Sequence, residues 1–200
     1  MIARITAIVA SIAMLGLLGV LYFNRSEPTE RFASCEQMQV GGADIGGPFT
    51  LLDGDRAVTN EDVITGPALI YFGYSFCPDV CPLDNARNTA ALDESGYAED
   101  IKQVIITIDP ERDTPERMEE YASYFSDDAL GLSGSQEQID EAVAAYRVYA
   151  RKAGEGENYL MDHSTFTYLM TPEDGLIGMF PNNLPPDEMA ESLSCYMEKL

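Results

Sequence analysis

The stretch Ala68-Leu-Ile-Tyr-Phe-Gly-Tyr-Ser-Phe-Cys77-Pro-Asp-Val-Cys81-Pro82 decides the fold of this 200-residue chain. Residues 68–73 are a continuous apolar run of strand length, the pattern of a strand covered on both faces. Two thiols follow, four residues apart. If Cys77 opens a helix, Cys77 and Cys81 share one face, one turn apart. Such a pair closes a disulfide or clamps a soft metal ion. A helix N-terminus lowers thiol pKa, so a thiolate ligand or nucleophile is available near neutral pH. Thioredoxin-type redox centres place two residues between their cysteines. The three here let the sulfurs sit further apart, which favours a metal, and Pro78 and Pro82 stiffen the loop.

Outward from this stretch, helices and strands alternate. Pro82 to about Glu94 reads as a helix ended by Gly96, and Val104–Ile108 as a second buried strand. Thr114 and Pro115 are an N-cap and N1 pair that opens a helix running to Phe125. Beyond the short run Ala129–Leu132, Ser135 caps a helix in which Ile139, Ala142, Val143 and Tyr146 recur at helical spacing until Gly154. On the N-terminal side, Asp53-Gly54-Asp55 turns Phe49–Leu52 back onto Ala57–Thr59 as a hairpin. Thr165–Met170 and Leu176–Phe180 form a second hairpin around Pro172–Gly175, and Asp187–Leu200 closes as an amphipathic helix. This order predicts an α/β, thioredoxin-like domain: a mixed sheet flanked by helices, with a cysteine pair at a strand-to-helix turn. No internal repeat or low-complexity segment is present.

The first 24 residues have a different character. No residue from Ile5 to Phe23 is charged, and nineteen residues in a helix rise about 28 Å, close to the hydrocarbon thickness of a bilayer. Arg4 precedes the run, Arg25 follows it, and Tyr22 sits where an interfacial aromatic belongs. Leu21–Arg25 offers no small-x-small cleavage site, so the run is expected to stay as an N-terminal membrane anchor helix. The organisation predicted is an anchor at 1–24, a tether at 25–43 and a domain at 44–200. That domain would face the oxidising side of an inner membrane, the periplasm in a bacterium. With 34 acidic against 12 basic residues, the chain is a poor partner for nucleic acid or an anionic lipid surface.

His163 is the only histidine, in Met161-Asp162-His163-Ser164, just before the third strand of the sheet. That loop faces the cysteine turn in a thioredoxin-like fold. Two thiolates and one imidazole make a compact soft site suited to Cu(I) or, in altered geometry, Cu(II). Zinc would want a fourth ligand or water. Asp162 or a backbone carbonyl could orient the imidazole from its far side. The segment Asp109-Pro-Glu-Arg-Asp-Thr-Pro115 reads as a charged turn before a capped helix, with a partner-docking rim as the alternative. Met170 and Met179 are expected to fill core, and Met161 to pack rather than ligate.

These three motifs, Tyr71–Pro82, Asp109–Pro115 and Asp162-His163-Ser164 with Tyr168-Leu-Met170, resemble the Sco/SenC family over roughly residues 44 to 198. The resemblance implies a membrane-anchored copper protein that helps build the CuA centre of cytochrome c oxidase. It implies Cys77, Cys81 and His163 as copper ligands, the CuA-bearing oxidase subunit as acceptor, and a periplasmic copper donor. Some members are described as thiol-disulfide reductases of the CuA cysteines, in which case Cys77 and Cys81 would be catalytic. A redox or copper sensor is a third reading. Cys35 and Cys195 lie outside the family's core pattern. In an oxidising compartment they are expected to pair, pinning tether to C-terminal helix, and otherwise to stay free or bridge two chains. Closing so long a loop would add up to about 4–5 kcal/mol.

Overall fold

The computed structural model describes residues 31–35 and 45–200, together with Met14 and Gly16. The predicted anchor, apart from those two residues, lies outside this range. Among the described residues no helix is long and apolar enough to cross a membrane.

The first hairpin pairs β1 (Thr50–Asp53) with β2 (Arg56–Thr59), followed by a single helical turn α1 (Asn60–Val63). The apolar run is β3 (Ala68–Gly73), buried at every position. It feeds α2 (Val80–Ser95), which Gly96 ends in the left-handed region at φ 78°. Next come β4 (Lys102–Thr107), α3 (Pro115–Ser123), β5 (Leu130–Leu132) and α4 (Gln136–Ala145). The chain closes with β6 (Ala150–Ala153), β7 (Leu160–His163), β8 (Thr167–Thr171), β9 (Gly175–Phe180) and α5 (Pro186–Met197).

The central sheet has the order β5-β4-β3-β8-β9. Its first three strands are parallel, β8 runs antiparallel to β3, and β9 reverses again to run antiparallel to β8. This is the mixed sheet flanked by helices that the sequence predicts. One face packs Ile70, Phe72, Val104 and Ile106 against Leu51, Met118, Ala122, Ile139 and Tyr146, drawn from the hairpin, α3 and α4. A second core joins Leu69, Leu169, Ile177 and Phe180 to Leu92 of α2 and to Met189, Leu193 and Tyr196 of α5. Each Val, Leu, Ile, Phe or Met among them contributes about 1.5–3 kcal/mol by leaving water.

Two departures from the sequence reading matter for the site. Ala129–Leu132 supplies a short edge strand rather than a bare connection. The helix opened by Ser135 stops at Ala145 instead of reaching Gly154. Arg147 takes a left-handed backbone (φ 54°), and the chain leaves the helix to make the separate β6–β7 hairpin. His163 is therefore the last residue of a strand, paired with Ala150, and not a loop residue.

The expected Cys35–Cys195 disulfide is present. Cys35 is bonded to Cys195 of α5, with Cα atoms 5.5 Å apart and a sequence separation of 160. Around it, Phe32 is buried in the second core, 5.5 Å from the ring of Tyr196, and Arg31 pairs with Asp174 in the β8–β9 turn. Residues 31–35 thus pack on the domain.

Candidate metal centre

At the C-terminal end of β3 the chain turns through Tyr74-Ser75-Phe76, and the Cys77 amide donates to the Tyr74 carbonyl at 3.3 Å. Asp79 stands at the N-cap of α2 without capping it. The Cys77 sulfur takes that part, accepting from the Cys81 backbone N–H at 3.4 Å. Cys77 is half-buried and Cys81 fully buried. Both are free thiols.

Their electrostatics are opposite. A hydrogen bond from Cys81 draws the Cys77 pKa down to about 3 against the opposing effect of burial. The first backbone N–H groups of the helix add to it, as the positive end of a helix should. The same contact and its burial push the Cys81 thiol up. Near neutral pH the pair is one thiolate and one thiol.

The β6–β7 hairpin carries the third donor. His163 Nε2 lies 3.4 Å from Cys81 Sγ, and Nδ1 lies 2.7 Å from the Ser164 carbonyl oxygen. A carbonyl only accepts, so Nδ1 holds the proton and Nε2 keeps its lone pair toward the thiols. Ser164 is itself held by an N–H bond to the Tyr149 carbonyl (2.9 Å) and by accepting the Tyr149 N–H at its Oγ (3.0 Å). Of the two expected orienting groups the carbonyl is the one used. Asp162 turns away to Arg151, 3.2 Å distant. The rings of Tyr71 and Tyr74 stand nearly perpendicular to the imidazole, at 6.3 and 5.9 Å.

The Sγ atoms of Cys77 and Cys81 and a ring nitrogen of His163 all lie within 4.8 Å of one another. One ion with bonds of about 2.0–2.3 Å reaches three such atoms after small side-chain adjustments. The donor set is soft and three-fold, and the chain holds no second histidine. That chemistry fits copper better than a four-coordinate zinc. The expected trio is brought together.

Several supporting residues carry no signal in the sequence that would mark them as such. Gly73 is one: a Cβ there would meet Tyr71 Cε1 at 2.7 Å and Cys81 Sγ at 3.2 Å, so only glycine lets that sulfur approach. The charged turn 109–115 is a second. The fully buried Asp113 carboxylate accepts from the Ser75 N–H (2.9 Å), Ser75 Oγ (2.5 Å) and Thr107 Oγ1 (2.8 Å), tying the cysteine turn to β4. Asp109 accepts from Arg112 Nε and from Tyr159 Oη, each at 2.6 Å. The Arg112 guanidinium lies 3.6 Å from the Tyr159 ring and 4.7 Å from that of Phe76. This knot fastens the hairpin bearing His163 to the turn bearing Cys77. A third support is the Met161 N–H, which donates to Tyr74 Oη at 3.2 Å while the side chain packs on the core, as expected of that methionine. Beneath the thiols, Tyr71 Oη donates to the buried Asp84 at 2.9 Å.

A family profile described as SCO1/SenC matches residues 37–198. Protein SenC of Rhodobacter capsulatus is 42% identical over 205 residues, covering 99% of this chain and 91% of that protein. The human mitochondrial protein described as an SCO1 homolog is 35% identical over 188 residues, and the chain spans 62% of its length. Among solved structures, Arabidopsis thaliana ScoI with copper bound superposes with a TM-score of 0.74 at 35% identity, covering 78% of this chain and 99% of that one. Bradyrhizobium japonicum ScoI with copper bound gives 0.68 at 39% identity, with 76% and 99% covered.

Proposed function

The chain belongs to the SCO1/SenC family, and we propose that it is a membrane-anchored copper chaperone that binds one copper ion through Cys77, Cys81 and His163. The observation that carries this reading is the convergence of two sulfurs and an imidazole whose distal nitrogen is already hydrogen-bonded to a carbonyl. Copper is cargo here. It is taken up as Cu(I) or Cu(II) from a periplasmic donor and passed to the CuA-bearing subunit of cytochrome c oxidase. Residues 1–24 anchor the chain in the inner membrane, the stretch after them tethers it as far as the docked residues 31–35, and 44–200 form the copper-binding domain in the periplasm.

The structure's own residues account for the steps. Cys77 is already a thiolate, and Cys81 gives up its proton as the metal enters. His163 sits on a two-stranded hairpin outside the main sheet, so it can leave the ion to an incoming ligand while the sheet stays intact. The half-exposed Cys77 is the sulfur an acceptor reaches first.

The thiol asymmetry supports a second reading, reduction of the acceptor's cysteines. The Cys77 thiolate would attack a partner disulfide, forming a mixed disulfide and expelling one partner thiolate. Cys81, losing its proton, would then attack Cys77 Sγ, leaving a Cys77–Cys81 disulfide and the second partner thiolate. His163→Ala separates the two. Copper titration of the reduced protein is expected to give one ion per chain and a Cu(II)–thiolate charge-transfer band. Both should collapse in the variant, while its dithiol still reacts with disulfides. Unchanged copper affinity in the variant would remove the chaperone reading.

A further inference from the structure

The Cys35–Cys195 disulfide lies at the pole of the domain opposite the cysteine–histidine site. The site sits at the C-terminal end of β3, beyond Gly73. Arg31 is paired with Asp174, in the turn after Thr171 of β8. Because β8 runs antiparallel to β3, with Ala68 opposite Met170, that turn lies past the start of β3. Pro67, Asp174, Arg31, Met197 and Leu200 line one surface cavity there. The six residues of β3 alone separate the two poles by about 20 Å. The site pole bears the exposed side chains of Phe76, Leu83 and Tyr149 beside the half-buried Cys77 and His163.

We propose that this disulfide, with the docked Phe32 and the Arg31–Asp174 pair, is a short leash that fixes which way the domain faces. It rests on residues 1–24 being a membrane anchor. Six residues, 25–30, separate the end of that anchor from Arg31, and the seven Cα–Cα steps between them reach at most about 25 Å. A domain of some 155 residues has a radius of gyration of about 15 Å and is about 38 Å across. Turning the site toward the bilayer would lift Arg31 to about 38 Å, beyond the leash. The site pole and its apolar rim therefore face away from the membrane. The partner that fits is a copper-accepting domain standing tens of ångströms clear of the lipid surface, not a site at the bilayer face. Were residues 31–35 released, the free chain from the anchor to Ile45 would reach about 75 Å and either orientation would be open.

The test uses the full chain in phosphatidylcholine vesicles. Two reagents are compared: soluble N-ethylmaleimide and a maleimide carried on a lipid headgroup by a spacer of about 10 Å. Cys77 is kept reduced under conditions that mass spectrometry shows to leave Cys35–Cys195 intact. Cys77 is expected to react with the soluble reagent and, relative to it, at least tenfold less with the lipid-borne one than after a 20-residue Gly/Ser spacer is inserted between Arg25 and Ser26. That insertion lengthens the leash without touching the fold. The paired substitution Cys35→Ala and Cys195→Ala, with Phe32→Asp to undock the segment, is expected to act in the same direction. A cysteine placed by Glu173→Cys, on the anchor-side pole, should react with the lipid-borne reagent in the parent chain. Equal ratios for the parent and the spacer variant would overturn the orientation. Failure of the chain to float with the vesicles would instead remove the anchor, and with it both this inference and the membrane part of the proposed function.

Discussion

Replacing both members of the Cys35–Cys195 bridge by alanine is the sharpest probe of what holds the domain's N-terminal edge. The bridge closes a loop of 160 positions, and the chain-entropy relation gives about 5 kcal/mol for a loop of that length. This is an upper figure, because real denatured chains are already restricted; about 3–5 kcal/mol is expected. Alanine is the right replacement. Cys35 sits in a pocket with Phe32, Leu193 and Tyr196, where a serine hydroxyl would lack a partner. For a domain of this size each kcal/mol moves the melting temperature by about 2–4 °C, so a fall of about 6–20 °C should appear in thermal circular dichroism. The urea m-value should rise as the unfolded chain loses its cross-link. Reducing the parent's bridge should reproduce the variant. A loss below about 1 kcal/mol would refute the reasoning and mean that packing of Phe32 alone fixes the segment.

Three further outcomes follow from the site. Copper binding should release about one proton near neutral pH, because Cys77 is held deprotonated and Cys81 protonated before the metal arrives. Affinity should therefore rise about tenfold per pH unit, and a flat profile from about pH 6 to 8 would contradict the assignment. Gly73→Ala drives a methyl into Tyr71 and Cys81, and should cost about 1–3 kcal/mol in denaturant unfolding. It should also weaken copper binding; unchanged values for both would show that the turn yields freely. Asp113→Ala strands the Thr107 hydroxyl and the donors of Ser75, and should cost about 2–4 kcal/mol. Faster hydrogen exchange confined at first to residues 74–77 is the local signature to look for, and its absence would separate Asp113 from the site.

Most of the central architecture was legible because its cues are local. The apolar runs of β3 and β4, the Thr114-Pro115 and Ser135 caps and the Asp-Gly turns each declare themselves within a few residues, and each is found in place. The β6–β7 hairpin was not legible. Ala150-Arg-Lys-Ala and Leu160-Met-Asp-His show no β-branched enrichment, and the burial of the first does not alternate. What holds them is non-local: Arg112 against Tyr159, Lys152 with Glu111, and Met161 on Tyr74. The candidate ligands were visible as residue types, while the supports of the site were not. Asp109 and Asp113 look alike in a charged turn, yet the first accepts from Arg112 and Tyr159 and the second from Ser75 and Thr107. Pairwise geometry across forty residues decides such roles, and composition does not carry it.

The division of support within the site has a consequence for exchange. Both thiols ride on β3 and α2, elements embedded in the sheet and its two cores, so displacing them means disturbing the domain. The imidazole rides on a hairpin that shares no strand with that sheet and is fastened by a handful of polar and cation–π contacts. Contacts of that kind are worth about 0.5–2 kcal/mol each, far less than a core element. A centre built this way would hold an ion between a rigid dithiol and a detachable third ligand. Loss of the third ligand opens the coordination sphere on the side where Phe76, Leu83 and Tyr149 are exposed. A partner docking on those side chains would meet the ion at its most labile bond, whereas release through Cys81 would require opening the core.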